Sequence, residues 1–277
     1  MFRTSFEGSR PRLDWRAVAL LAGGLLFVYY LVPILALLTA QNPLSVLRQF
    51  ESPAVVTAAT HSVLTALAST GVATAFGVPL AYLLTRGFRG QAIVESLVDL
   101  PLVVPHSVAG ILILFGFGRR GLFPGVSVLT TMVGMVLALT FVSAPFAVNA
   151  AREAFEAIDP RLEYAARSHG AGPFGTFVRV MLPLASRGVL TGGVLAWARG
   201  VSEFGAVAVV AYSVYFFYPF ADSNPSVAQH APVYIFNTYT ASGLDEAGAV
   251  AFILLALTLV VFLLVRQLAY DRGGGLL

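Results

Sequence analysis

EAFEAIDPRLEYAARSHGAGPFGTFVRVMLP, residues 153–183, is a polar, amphipathic interval in a chain that is otherwise almost continuously apolar. Arg152, Arg161, Arg167, Arg179 and Arg187 fall in or beside it, interleaved with Glu153, Glu156, Asp159 and Glu163. A run of this size between two apolar stretches reads as a loop on one side of a membrane. It folds into short helices and offers a surface to something outside the bilayer.

Composition supports the membrane setting. Of 277 residues, 57% are hydrophobic and 11% charged, with a mean hydropathy of +0.81. Soluble domains carry about 25% charged residues, so the chain reads as an all-α integral membrane protein. It contains no cysteine, which excludes a disulfide framework, thiolate metal sites and a cysteine nucleophile. All 17 basic residues are arginine. A P-loop needs its lysine on the nucleotide phosphates, so the chain is not itself a P-loop ATPase and any ATP energy comes from another subunit. The net charge of +3 is modest and sided, and does not suggest nucleic-acid binding.

Six stretches have the ~20 apolar residues that a bilayer crossing requires: 17–39, 60–84, 97–117, 127–149, 188–213 and 247–265. The first exceeds the roughly 7–15 residues of a signal-peptide core and reads as a retained helix. Residues 1–16 form a polar N-terminal segment, 17–268 the membrane domain with loops at 150–187 and 214–246, and 269–277 a flexible tail. With so few residues after the last span, no C-terminal regulatory domain is expected. With the N-terminus inside, one side holds Arg3, Arg10, Arg12, Arg16, Arg86, Arg89, Arg152, Arg161, Arg167, Arg179, Arg187, Arg266 and Arg272. The other side holds Arg48, Arg119 and Arg120. Thirteen against three is a positive-inside bias. It puts both termini and the 153–183 loop in the cytoplasm.

The external segment 214–246 has no Arg or Lys, carries Asp222, Asp245 and Glu246, and is crowded with Tyr215, Phe216, Phe217, Tyr218, Tyr234, Phe236 and Tyr239. It reads either as an interfacial aromatic belt or as a surface that meets an extracellular partner.

Ionisable residues inside spans are costly and rare. Arg199 and Glu203, four apart in span five, share a helix face and are expected to pair. Either they lock helices together, or Arg199 lends positive potential to an anion pathway. Gly188, Gly192, Ala196 and Gly200 form a small-residue stripe on the same helix. Such a stripe allows close approach by another helix, of this chain or of a second copy. Pro101 and Pro105 interrupt span three just before His106 and Ser107. They produce a kink or a segment lining a cavity.

His61, His106, His169 and His230 show no metal-ligand spacing and read as packed or solvated. There is no HExxH, no GxSxG and no carboxylate pair suited to intramembrane proteolysis. Asn224-Pro225-Ser226 is not a glycosylation acceptor, because proline fills its middle place. No catalytic residue and no cofactor bound by this chain are expected.

The opening stretch resembles the EAA loop of ATP-binding-cassette (ABC) importer permeases: Glu-Ala-Ala, three residues, Gly, nine residues, Ile, one residue, Leu-Pro. Ala165, Ala166, Gly170, Leu182 and Pro183 fall at the expected offsets, with Val180 in the Ile place and Tyr164 in the Glu place, preceded by Glu163. Other segments are similar to the permeases of molybdate, tungstate and sulfate ABC importers: LPLVVP at 100–105, SVAG at 107–110, FGRRGL at 117–122, Ala198-Arg199, EFGA at 203–206, and APVYI at 231–235 ahead of Gly243-Leu244. The likeness spans about 55–268 and looks closest to molybdate/tungstate permeases.

The resemblance implies two copies around one pathway. Each would insert a coupling helix near 157–172 into a dimer of ATPase subunits, which holds ATP and Mg. An extracellular protein would deliver the oxyanion. Sulfate or another oxyanion is the rival substrate. A passive anion channel would leave the 153–183 loop without a task, and a membrane-embedded enzyme has only Arg199 and Glu203 as candidates.

Overall fold

A computed structural model describes residues 15–119, 121–123, 128–216 and 226–271. Arg3, Arg10, Arg12, Arg120, Phe217, Tyr218, Asp222, Asn224, Pro225 and Arg272 lie outside the described residues.

Three long helices form the centre: α3 (Pro53–Leu84), α6 (Met132–Glu156) and α9 (Leu182–Val201). Their common interface is built from small residues, with Ala66, Ala73, Ala147, Ala151 and Ala196 fully or nearly buried. Lipid tails are as apolar as leucine, so packing of backbones rather than a hydrophobic gradient holds such helices together. The glycine stripe does this work within the chain. A Cβ on Gly192 would lie 2.9 Å from Ala150 Cβ and 3.1 Å from the Ala147 carbonyl oxygen. Gly188 is wedged against Ala154 in the same way, and Gly200 faces Ala66. Of the two partners the sequence allows, the structure therefore supplies α6 and α3 of the same chain.

Around this centre lie α1 (Trp15–Ala40), α2 (Pro43–Glu51), α4 (Gln91–Val103), α5 (His106–Phe117), α7 (Pro160–Ser168), the short α8 (Pro173–Thr176), α10 (Gly205–Val210), α11 (Ala231–Ser242) and α12 (Leu244–Asp271). Among the described residues, five helical segments are long and apolar enough to cross a membrane: Trp15–Ala40, Pro53–Leu84, Met132–Glu156, Pro173–Val201 and Leu244–Leu264. None of the α1 residues is buried.

Four expectations change. The third apolar stretch is not one helix but two, α4 and α5, divided at Val104 and Pro105. Pro105 has no N–H to donate and would clash with the preceding turn, and it drives the residue before it out of the helical region. Val104 accordingly sits at φ −75°, ψ 133°. The fifth helix starts earlier than residue 188. A π-helical turn at Phe177–Met181 carries α8 into α9, and the helix ends at Val201 rather than 213. The all-helical reading also omits a two-stranded antiparallel hairpin, β1 (Val214–Phe216) with β2 (Ser226–Ala228), registered Val214↔Ala228. Finally, α12 continues through Asp271, so the first residues of the expected tail are helical.

Segment 214–246 also packs into the interior. Val214, Ala228 and Val233 join the core made by Ala109, Leu139 and Val207. His230 Nε2 lies 3.0 Å from the Gly200 carbonyl, and the Ala231 N–H donates to Ser62 Oγ at 2.6 Å. The hairpin and α11 are thereby tied to both α9 and α3.

Candidate functional site

Two polar groupings stand out, one at each end of α9. The first belongs to the 153–183 loop. Asp159 begins α7 as its N-cap, accepting from the Arg161 N–H at 2.9 Å, with Pro160 in the first helical position. The helix stops at Gly170, whose φ of +85° is left-handed. The Gly170 N–H donates to Arg167 and the Ala171 N–H to Ala166, a Schellman closure that favours glycine. Pro173 then opens α8. The Gly170 at the family offset is therefore a helix stop.

The two neighbours Glu163 and Tyr164 face opposite ways. Glu163 is 4% exposed and Tyr164 69%. Glu163 ion-pairs with Arg86, just beyond α3, and with Arg167 at 2.7 Å, while Tyr82 OH donates to it at 3.3 Å. Arg86 also stacks over the Tyr82 ring, its Cζ 4.1 Å from the centroid. Beneath them Tyr82, Phe155 and Phe177 form an aromatic cluster joining α3, α6 and the π-helical turn. Arg152 bridges Glu95 of α4 and Glu156 of α6, each at 2.7 Å. The loop is thus tied by ion pairs and ring contacts to the end of α3 and to α6, with Leu162 and Tyr164 left facing outward. Leu182 and Pro183 open α9.

The second grouping lies where α9 ends against the break between α4 and α5. Arg199 Nη2 donates to Glu203 Oε2 at 2.6 Å, the pair expected from the sequence. Glu203 is fully buried, and its second oxygen accepts the Ala206 N–H at 2.8 Å, fixing the start of α10. Sequence reasoning missed the third member. His106 Nε2 lies 2.8 Å from Arg199 Nη2, and Nδ1 lies 3.6 Å from Glu203 Oε2. A guanidinium only donates, so the imidazole nitrogen facing it is the acceptor. Pro105 makes this meeting possible by starting a new helix at His106. Gly205 completes it, since a Cβ there would lie 2.8 Å from His106 Cβ and 3.1 Å from Ser107 N. The Gly110 position is equally close to α10, 2.8 Å from the Ala206 carbonyl oxygen. PHSVAG and EFGA are thus two halves of one junction. Pro101 is buried in α4, while Pro105 and Ser107 are exposed at the break.

No group of three or more metal-ligating side chains occurs among the described residues. The large cavity beside α9 is about 860 Å³, lined by Leu67, Thr74, Leu190, Val194, Trp197 and others, and is mainly apolar. It does not include the Arg199 junction.

A family model described as "Binding-protein-dependent transport system inner membrane component" matches residues 73–272. A probable molybdenum ABC transporter permease protein of Haloferax volcanii is 44% identical over 257 residues, covering 92% of this chain and 90% of the relative. The molybdate/tungstate transport system permease protein of Pyrococcus abyssi is 37% identical, covering 89% and 92%. Among solved structures, a bacterial alginate ABC transporter bound to its periplasmic protein superposes with a TM-score of 0.70, at 17% identity over 94% of this chain and 96% of that one. That likeness is one of fold. Five apolar helices of spanning length among the described residues and an inner-membrane family together make this a multi-pass membrane protein.

Proposed function

The chain belongs to the binding-protein-dependent transport system inner membrane components, the permeases of ABC importers, and on that premise we propose that it carries molybdate or tungstate across the membrane by alternating access. It is a transport subunit, not an enzyme; the relatives at this similarity are permease proteins. In the proposed assembly two copies enclose one pathway, both termini are cytoplasmic, an extracellular protein delivers the oxyanion, and a pair of ATPase subunits holds ATP and Mg.

The observation that carries the reading is the build of α7. Glu163 holds the helix to α3 through Arg86, while Tyr164 and Leu162 remain exposed on the outer face. A helix fixed this way transmits a push on its outer face directly into the spans. Nucleotide and cargo shift the permease only by binding its two states with different affinity, so a rigid attachment is what the mechanism needs. Pro101, Pro105, Ser107, Arg199 and Glu203 are the proposed pathway and interface residues, and Glu163, Tyr164, Ala165, Ala166, Gly170, Leu182 and Pro183 the proposed coupling elements.

The chain has no native cysteine, which makes the docking reading directly testable. Tyr164→Cys is expected to cross-link to an ATPase subunit with a cysteine placed beside its nucleotide cleft. A cross-link from Tyr215→Cys in place of Tyr164→Cys would overturn the docking assignment.

A further inference from the structure

The Arg199 junction has donors to spare. All hydrogen bonds of this guanidinium among the described residues leave from Nη2, toward Glu203 and His106; Nε and Nη1 make none. Arg199 keeps part of its side chain exposed, and the His106 side chain is 47% exposed, while Glu203 is entirely enclosed. A half-exposed imidazole beside a guanidinium within the apolar stretches does not face hydrocarbon without a cost of a few kcal/mol. This face therefore looks onto water or onto protein. Nε–H and Nη1–H of Arg199 remain as single charged donors on either side of the committed Nη2, each able to bond one oxygen of an oxyanion.

We propose that the remaining Nε–H and Nη1–H donors of Arg199 and the ring of His106 form a contact point for a tetrahedral oxyanion dianion in transit, with buried Glu203 as the fixed counter-charge that positions both. The proposal rests on the transport reading above and adds to it a place where the cargo touches this chain. Glu203 is held by Arg199 on one oxygen and by the Ala206 N–H on the other, so it does not swing away when an anion arrives. It offsets the arginine charge, which keeps the contact from becoming a trap: conduction requires binding weak enough to release. His106 is the adaptable member. In the structure one ring nitrogen accepts from Arg199, and by turning the ring presents its N–H as a donor to the passing anion.

The absence of cysteine again supplies the test. In the full complex with ATPase and binding protein, His106→Cys is labelled with an anionic and with a cationic methanethiosulfonate reagent. The anionic reagent is expected to react severalfold faster relative to a free thiol, because the guanidinium is partly exposed beside position 106 while its counter-charge Glu203 is enclosed. Saturating tungstate is expected to slow it by about tenfold through occupancy. Labelling absent in every nucleotide state, or indifferent to tungstate, overturns the proposal. As a second measurement, His106→Phe is expected to lower the uptake turnover about tenfold and leave KM for the loaded binding protein unchanged, because delivery and transit are separate steps. Wild-type turnover in His106→Phe overturns the proposal. In either case ATP-driven uptake by the unmodified complex leaves the transport reading standing; only its absence there counts against that reading.

Discussion

Glu163 of α7 is ion-paired with Arg86 just past the end of α3, so a helix outside the apolar spans is tied to the longest helix of the core. Glu163→Ala removes the acceptor for Arg86, Arg167 and Tyr82 together. Both arginines retain contact with water, which softens the loss, and hydrogen bonds to charged groups are worth about 1.5–3 kcal/mol each at most. We expect a fall of a few degrees in the thermal midpoint of the purified protein and a larger proportional fall in ATP-driven uptake. Uptake falling no further than the amount of folded protein would make Glu163 a structural anchor only.

Gly170 stops α7 at φ +85° with open space around it. A Cβ there meets no neighbour among the described residues, so Gly170→Trp should still insert, at a backbone cost of about 1–2 kcal/mol for a side chain in the left-handed region. It places a large ring beside the exposed face of α7. Membrane levels near wild type with uptake reduced at least about tenfold is the expected pattern. Unchanged uptake would refute the role given to this loop.

Gly192 and Gly193 are neighbours with opposite surroundings. A Cβ at Gly192 runs into Ala150 and Ala147, whereas at Gly193 the nearest atom, Thr70 Cγ2, is 3.8 Å away. Gly192→Val should destabilise by about 1–3 kcal/mol through overpacking, and Gly193→Ala should be close to neutral. Equal thermal midpoints for the two variants would contradict the α6–α9 packing.

Arg199 and Glu203 should behave as a unit. Breaking a buried pair by removing one partner costs about 3–5 kcal/mol, because the other charge is left uncompensated. Arg199→Met alone strands the Glu203 carboxylate, while Arg199→Met with Glu203→Gln keeps an acceptor for the Ala206 N–H. The double variant is expected to be more stable than Arg199→Met alone, as read by thermal unfolding in detergent. Additive losses would show that the two side chains do not depend on each other.

Much of this architecture is legible in the sequence, because bilayer thickness and helix period leave strong marks. The apolar stretches stand out by length, and Pro105 announces the break. The i,i+4 spacing places Arg199 beside Glu203. What the sequence conceals depends on distant partners. His106 reaches Arg199 from 93 residues away, and a lone histidine carries no pattern that points there. The inward turn of Glu163 is equally hidden, since α7 is polar on several faces and only the position of Arg86 decides which one is buried. The start of α9 was obscured by Gly172, Pro173, Gly175 and Arg179, which read as loop but lie in α8, its N-cap and the π-helical turn. The small-residue stripe predicted close packing, and the identity of α6 as its partner required the fold.

The central claim is ATP-driven oxyanion transport, and uptake of radiolabelled molybdate into proteoliposomes holding this chain, its ATPase and its binding protein tests it most directly. ATP-dependent uptake that tungstate blocks and excess sulfate does not is the expected result. Uptake blocked by sulfate would move the substrate while keeping the permease. Anion flux indifferent to ATP would contradict the account, leaving α7 without a task and a passive channel in its place.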